Sequence, residues 1–251
     1  MLGAIIGDIV GSRFEFNNLK TEKFQLFTQE CDFTDDSILT VAVADAILHD
    51  KSYSECALEW CRKYPSPMGG YGGTFSYWVR TGVQRPYNSF GNGSAMRVSP
   101  VGFAFDTEAE TIKQAIASAE FTHNHPEGIV GAVAVARAIF NLRMHKDLAF
   151  VSYLKDLYYP DNDGAPQGVF DETCQGTVPV AFNLLLASSS FENAIRRTMQ
   201  WGGDSDTLGA IVGGMAEAYF GIPEGMSQHA RTFLPGEMLA IIDEFHKSTK
   251  Y

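Results

Sequence analysis

Residues 126–144 read PEGIVGAVAVARAIFNLRM. Proline at the first position suits a helix start, because the N–H it lacks has no partner there anyway. The residues after it are apolar nearly all round. A helix of that kind is covered on every side, which places it inside a larger helical bundle. The sequence on either side carries the same signal. Residues 36–49 (DSILTVAVADAILH) open with Asp and carry apolar positions at helical spacing. Residues 53–63 set Tyr53, Ala57, Trp60 and Cys61 near one face. Further helices are predicted at 177–187, 191–201, 206–220 and about 235–248. Gly221 and Pro223 give the 206–220 helix a stop signal.

Residues 2–13 form another helix, with Gly3, Gly7 and Gly11 four residues apart. That spacing aligns them on one face, where a second backbone can approach closely. A helical glycine costs about 1 kcal/mol relative to alanine, so close packing must offset it. Alternating patterns are scarce, and VGFAF at 101–105 is the best strand candidate. The fold predicted is all-α, a compact orthogonal or irregular multi-helix bundle in one domain spanning 1–251.

A chain of 251 residues with 45% hydrophobic residues buries a sizeable core without a disulfide or metal staple. Any metal it binds therefore serves function. The formal net charge of -11, with no Lys/Arg run, argues against strong nucleic-acid binding. A single anionic ligand stays open, since backbone N–H groups suffice to hold it. Cys31, Cys56, Cys61 and Cys174 form no CxxC pair and read as reduced, mostly buried thiols. The first residues lack a basic run, Asp8 interrupts them, and no stretch has membrane-spanning length. A cytoplasmic monomer with no membrane partner is expected.

Most of the chemical information lies in two short acidic motifs. Thr34-Asp35-Asp36 opens the 36–49 helix, and Asp204-Ser205-Asp206-Thr207 follows Gly202-Gly203 into the 206–220 helix. Capping is the plainest explanation, because Asp, Ser and Thr accept orphan N–H groups at helix starts. A cap uses one such side chain, however, and each motif supplies three or four. Adjacent carboxylates also repel unless positive charge lies between them. Hard divalent cations take oxygen ligands, so the set suits a two-metal magnesium or manganese site more than zinc.

Other features are weaker taken singly. Glu15 follows the glycine-faced helix and is either an exposed helix end or a neighbour of the acidic motifs. Asp8, an acid within an apolar helix, pairs with an arginine or bonds to a neighbouring helix cap. Gly69-Gly70-Tyr71-Gly72-Gly73-Thr74 and Ser89-Phe90-Gly91-Asn92-Gly93-Ser94-Ala95-Met96-Arg97 are small-residue segments that free backbone N–H groups for phosphate. Neither is a Walker loop. In Thr122-His123-Asn124-His125-Pro126 the histidines cap the helix, touch a ligand or, with less reason, bind metal.

In this order GAIIGDIVGSRFE, FTDDS, GYGG, GNGSAMR, THNHP and WGGDSDT resemble the motif set of ADP-ribosylglycohydrolases. That family includes dinitrogenase-reductase-activating glycohydrolases and the ADP-ribosylarginine and ADP-ribosylserine hydrolases. The resemblance spans about 1–221. It implies an all-α bundle with a binuclear magnesium or manganese centre in a surface cleft. Thr34, Asp35, Asp36, Asp204, Asp206 and Thr207 match the family's metal-binding motifs. Glu15 matches its mobile acid near the scissile bond, with Asp35 and Asp206 sharing the chemistry. Gly72, Gly73 and the run Gly91, Asn92, Gly93, Ser94, Ala95 and Met96 match segments holding the diphosphate and distal ribose. His123 matches a histidine near the ADP-ribose. The implied reaction is hydrolysis of the bond from the distal ribose to an arginine or serine acceptor, on a modified protein or a small molecule. The alternatives are a two-metal phosphoesterase, a noncatalytic ADP-ribose-binding module and a structural role. Intact acidic motifs argue against the last two. The chain is short for the family, so the resemblance leaves the acceptor open.

Overall fold

The computed structural model describes residues 1–249. Among them the structure is helical, and the only pairing of extended backbone is one antiparallel bridge between Gly91 and Thr173. Three helices organise the core: Leu2–Gly11, Pro126–His145 and Ser205–Phe220. The Pro126–His145 helix is covered by Glu108–Glu120, Ser99–Ala104, Cys174–Leu186 and Ser205–Phe220. Ala132, Ala134, Val135, Ala136, Ala138, Ile139 and Leu142 are all buried, as an apolar circumference requires.

The Leu2–Gly11 and Ser205–Phe220 helices make the most extensive contact in the molecule. Their glycines face one another. A methyl added at Gly3 would overlap the Gly213 carbonyl, and one at Gly7 would overlap that of Gly209. At Gly11 it would meet the backbone of Ser205 and Asp206. The four-residue glycine spacing is thus a seam between two backbones. It fixes the end of the first helix against the start of the second acidic motif.

Several expected helices appear with shifted ends. The first acidic helix is Asp35–His49, and Tyr53–Lys63 and Phe191–Trp201 match expectation. The first helix ends at Gly11 and continues as a short 3-10 turn, Ser12–Phe14. The helix expected at 177–187 is Cys174–Leu186, started by a Thr173 cap. Pro179 lies inside it, and the carbonyl that proline leaves free, that of Gln175, accepts from Asn162 Nδ2 at 2.9 Å.

One expectation is wrong: VGFAF is no strand. Ser99–Ala104 is a short helix with Pro100 in its first turn. Val101 and Phe103 are fully buried, and Gly102 lies against Ile139. A short apolar run buried on both sides carries no periodicity that separates strand from helix. All four cysteines are free and buried. No helix among the described residues is long and apolar enough to cross a membrane.

Candidate active site

A cleft of about 620 Å³ opens where the starts of the Asp35–His49 and Ser205–Phe220 helices meet. Both helix N-termini are positive ends of backbone dipoles, which favours negative groups there. One wall carries Glu15, Asp35, Asp36, Asp204, Asp206 and Thr207. The other carries the Gly69–Thr74 segment and the Gly91–Gly93 segment, with His123 beside them. The structure therefore brings the two acidic motifs, Glu15, both glycine segments and His123 to one place. Thr34, Ser94 and Ala95 are fully buried just behind the surface and do not line the cleft.

The first acidic motif is anchored by Asp8. Its Oδ1 accepts from Thr34 Oγ1 at 2.8 Å. Its Oδ2 accepts from Thr34 N at 3.0 Å, from Ser37 N at 3.1 Å and from the Ser37 hydroxyl. Asp8 is thus bonded to a neighbouring helix start, one of the two roles its sequence position suggested. Thr34 itself caps the helix, accepting from Asp36 N at 3.2 Å. The second motif is built differently. Asp204 occupies the cap position of its helix, yet its side chain makes no cap hydrogen bond. Its Oδ2 accepts instead from Asn92 Nδ2 at 2.7 Å, and Asn92 Nδ2 also reaches Thr177 Oγ1 at 3.1 Å. Ser205 Oγ donates to the Gly11 carbonyl at 3.0 Å, tying this helix to the glycine seam. Capping therefore accounts for one side chain, Thr34, and leaves the carboxylates unexplained.

Oxygens from Asp8, Asp36 and Asp206 all lie within 4.8 Å of one another, and all three residues are buried. Asp36 Oδ1 is buried and has no hydrogen-bond partner. Thr207 Oγ1 donates to Asp36 Oδ2 at 3.3 Å. Burial is the largest effect on every carboxylate here, and their mutual repulsion adds to it for most of them. Asp35, Asp36 and Asp206 are pushed well above the usual carboxylate range, and Asp204 is raised. Asp8 rises to about 6 despite its four donors. Glu15 rises to about 7, from burial first and then the charges of Asp204, Asp8 and Glu172. Packing this much negative charge out of water is costly unless a cation joins it. An orphaned buried oxygen in an all-oxygen donor set fits a hard divalent ion.

Glu15 stands at the mouth, just past the Ser12–Phe14 turn. Its Oε2 is buried without a partner, and Gly69, at φ 75°, lies so close that a Cβ there would sit 2.6 Å from that oxygen. Gly70, Gly72 and Gly73 face open space, and Gly72 caps the Gly73–Thr81 helix, whose first residues line the cleft. Gly93–Met96 is a single helical turn, pinned by Asn92 N to the Glu172 carbonyl at 2.7 Å. Ser94 is turned inward and donates to the Gly128 carbonyl at 2.6 Å. The two histidines divide their roles: His125 caps its helix, accepting from Glu127 N at 3.2 Å, and His123 lines the cleft.

The profile of the ADP-ribosylglycohydrolase family matches residues 1–250. The chain belongs to the ADP-ribosylglycohydrolase family. It is accordingly a hydrolase. ADP-ribosyl-(dinitrogen reductase) glycohydrolase of Rhodospirillum rubrum is 24% identical over 260 residues, covering 89% of this chain and 85% of its own length. ADP-ribosylhydrolase ARH3 of Homo sapiens is 24% identical over 329 residues, covering 96% of this chain and 90% of its own. A solved ADP-ribosylglycohydrolase-related protein complex has the same fold, with a TM-score of 0.77 at 21% identity over 99% of this chain and 97% of that one.

Sequence reasoning placed Asp8 outside the acidic centre. The structure puts its oxygens among those of Asp36 and Asp206. An acid on a glycine-faced helix was the available signal, because such a helix lies against a backbone and not against solvent. Tyr87 and Glu172 at the cleft gave no comparable signal. They arrive from loops by tertiary contact alone.

Proposed function

We propose that this ADP-ribosylglycohydrolase hydrolyses the bond joining the distal ribose of an ADP-ribosyl group to an arginine or serine acceptor, with release of ADP-ribose. The observation that carries the reading is the buried convergence of Asp8, Asp36 and Asp206, with Asp36 Oδ1 unpartnered, in a cleft backed by glycine segments. Thr34, Asp35, Asp36, Asp204, Asp206 and Thr207 would hold two Mg2+ or Mn2+ ions. The Thr34 hydroxyl keeps one lone pair after accepting from Asp36 N. When bound, the ions supply positive charge and Lewis acidity toward oxygen.

The chain's own groups do the remaining work. Asp35 and Asp206 line the cleft together with Glu15 and would share the chemistry at the ribose carbon, where oxocarbenium character develops. Asn92 fixes the orientation of Asp204. Glu15 reaches the mouth with a proton affinity near neutrality, which suits a group that holds or moves a proton at the scissile bond. The N–H groups around Gly72 and Gly73 and the surface of Gly91–Gly93 accept the diphosphate without adding charge to an acidic protein. Asp8 and Ser94 hold these walls in place.

The test uses arginine-linked and serine-linked mono-ADP-ribosyl peptides, each incubated with and without EDTA, with products identified by mass. Chelator-sensitive release of free ADP-ribose is expected, and the faster peptide names the linkage. AMP as the product would replace this reading with a phosphoesterase. ADP-ribose binding without release from either peptide would replace it with a binding module.

A further inference from the structure

His123 is buried at the cleft, and the direction of its two ring nitrogens differs. Nδ1 lies 2.8 Å from Thr122 Oγ1. Nε2 faces the glycine segment, 3.1 Å from where a Cβ of Gly93 would stand and 3.5 Å from one at Gly91. No protein acceptor meets Nε2 among the described residues. Which nitrogen carries the proton decides whether the ring offers a ligand a donor or an acceptor.

Beside this pair stands Arg97, almost wholly buried yet lining the same cleft, with its Nη1 unpartnered. Its guanidinium lies 4.4 Å from the centre of the Phe121 ring. Nε and Nη2 donate to the Ser118 carbonyl at 3.3 and 3.0 Å, at the end of the Glu108–Glu120 helix. Nη2 also donates to Thr122 Oγ1 at 3.0 Å. An arginine has no acceptor atom, so at that contact the threonine oxygen must accept. The single hydroxyl proton of Thr122 then has one partner among the described residues, and that partner is His123 Nδ1.

We propose that Arg97 and Thr122 are positioning residues that lock His123 in its Nε2–H tautomer, so that the ring donates to an oxygen of the ligand lying over Gly91–Gly93. The direction of proton donation is fixed at each link: guanidinium to hydroxyl, hydroxyl to Nδ1, Nε2–H to ligand. Burial and the Arg97 charge both hold the imidazole well below its usual pKa, which keeps it in the neutral form the relay requires. The glycines leave room above Nε2, since a side chain at position 93 would occupy the place of the ligand oxygen. The identity of the ligand as ADP-ribose rests on the function proposed above. The tautomer does not.

Long-range proton–nitrogen correlation spectra of the 15N-labelled, ligand-free protein test the relay directly. The chain has six histidines, and the His123 signals are those missing from a His123→Gln sample. The expected pattern is an unprotonated Nδ1 and a protonated Nε2 in the wild type and in Thr122→Ser. Thr122→Val, which keeps shape and loses the hydroxyl, should give a mixture of tautomers. Calorimetry with ADP-ribose should then show binding of Thr122→Val weakened by the depopulation of the Nε2–H form, about 2-fold for an even mixture, and near-wild-type binding for Thr122→Ser. A protonated Nδ1 in the wild type would overturn the proposal, whether or not Thr122→Val folds. So would unchanged tautomer and affinity in Thr122→Val. Failure of the wild type to bind ADP-ribose, with the Nε2–H pattern present, would overturn the ligand and leave the relay standing.

Discussion

The two acidic helix starts use nearly the same residue types and are held by opposite means. Asp35–His49 is capped by its own threonine and braced by Asp8 from a neighbouring helix. Ser205–Phe220 has no side-chain cap at Asp204, and its position comes from the glycine seam and from Asn92. In the first, a polar side chain stabilises the helix. In the second, Asp204 is held by Asn92 from another segment, and Asp206 Oδ1 accepts from Thr207 N at 3.0 Å, so neither carboxylate serves as the cap. A motif rich in Asp and Thr is therefore not one device, and substitution can separate stability from chemistry.

The largest effect is expected at the point the two starts share. Asp206→Ala should remove several kcal/mol of charge stabilisation, about 10³-fold in turnover, together with divalent-metal affinity. The circular dichroism of the variant should remain that of the folded protein. Full activity would show that the acidic cluster is no metal site. Glu15→Ala should lower turnover by roughly 10²-fold, the lower end of the range for a positioned acid or base, while metal affinity measured by calorimetry stays close to wild type. Parallel loss of both would make Glu15 a ligand instead.

The third comparison sets the two starts directly against each other in the presence of chelator. Thr34→Val should lower stability by about 1 kcal/mol or more, since a cap and a bond to Asp8 disappear together. Asp204→Asn should leave stability unchanged or raise it, because no cap is lost and a buried charge is removed. Denaturant titrations of both variants decide this. Equal destabilisation would erase the distinction. Without chelator, Asn92→Ala should reduce metal affinity about 10- to 100-fold through the loss of the bond that orients Asp204.

Much of this was legible in the chain because some patterns have few physical solutions. A helix apolar on all sides, as at 126–144, must be buried. Glycines at 3, 7 and 11 must meet a backbone, and they meet Gly213, Gly209 and Ser205. The excess of oxygen side chains over capping needs at 34–36 and 204–207 pointed to a cation. What sequence spacing could not carry was set by tertiary contact. VGFAF became helix because Ile139 and the core enclose it. The helices Gly73–Thr81, Glu108–Glu120, Leu148–Tyr158 and Glu224–Arg231 went unread, although Thr107 and Asp147 cap the second and third and were legible as helix starts. Asp8 was legible as an unusual acid, and only the packing of its helix shows that it braces Thr34 and joins Asp36 and Asp206.

The smallest effect is a pH dependence that isolates the acid at the mouth. In chelator, Glu15 has a folded pKa of about 7, above the usual glutamate value, so the fold penalises its charged form. The unfolded chain releases this proton at lower pH than the folded one. Stability from the neutral carboxyl is therefore fully present below the unfolded pKa and is lost as pH rises through about 7. Glu15→Gln is neutral throughout. Its stability relative to wild type should be greatest near pH 8 and should shrink steadily toward pH 4, a window set by those two pKa values. Since Glu15 is only half buried, solvent screens the effect and the advantage at high pH should be modest. Saturating Mg2+ or Mn2+ should flatten the difference, because a cation nearby removes the repulsion from Asp204 and Asp8 that raises the pKa. A variant-minus-wild-type difference that is flat with pH in chelator would place Glu15 in open solvent, and one that grows toward low pH would reverse the sign of its environment.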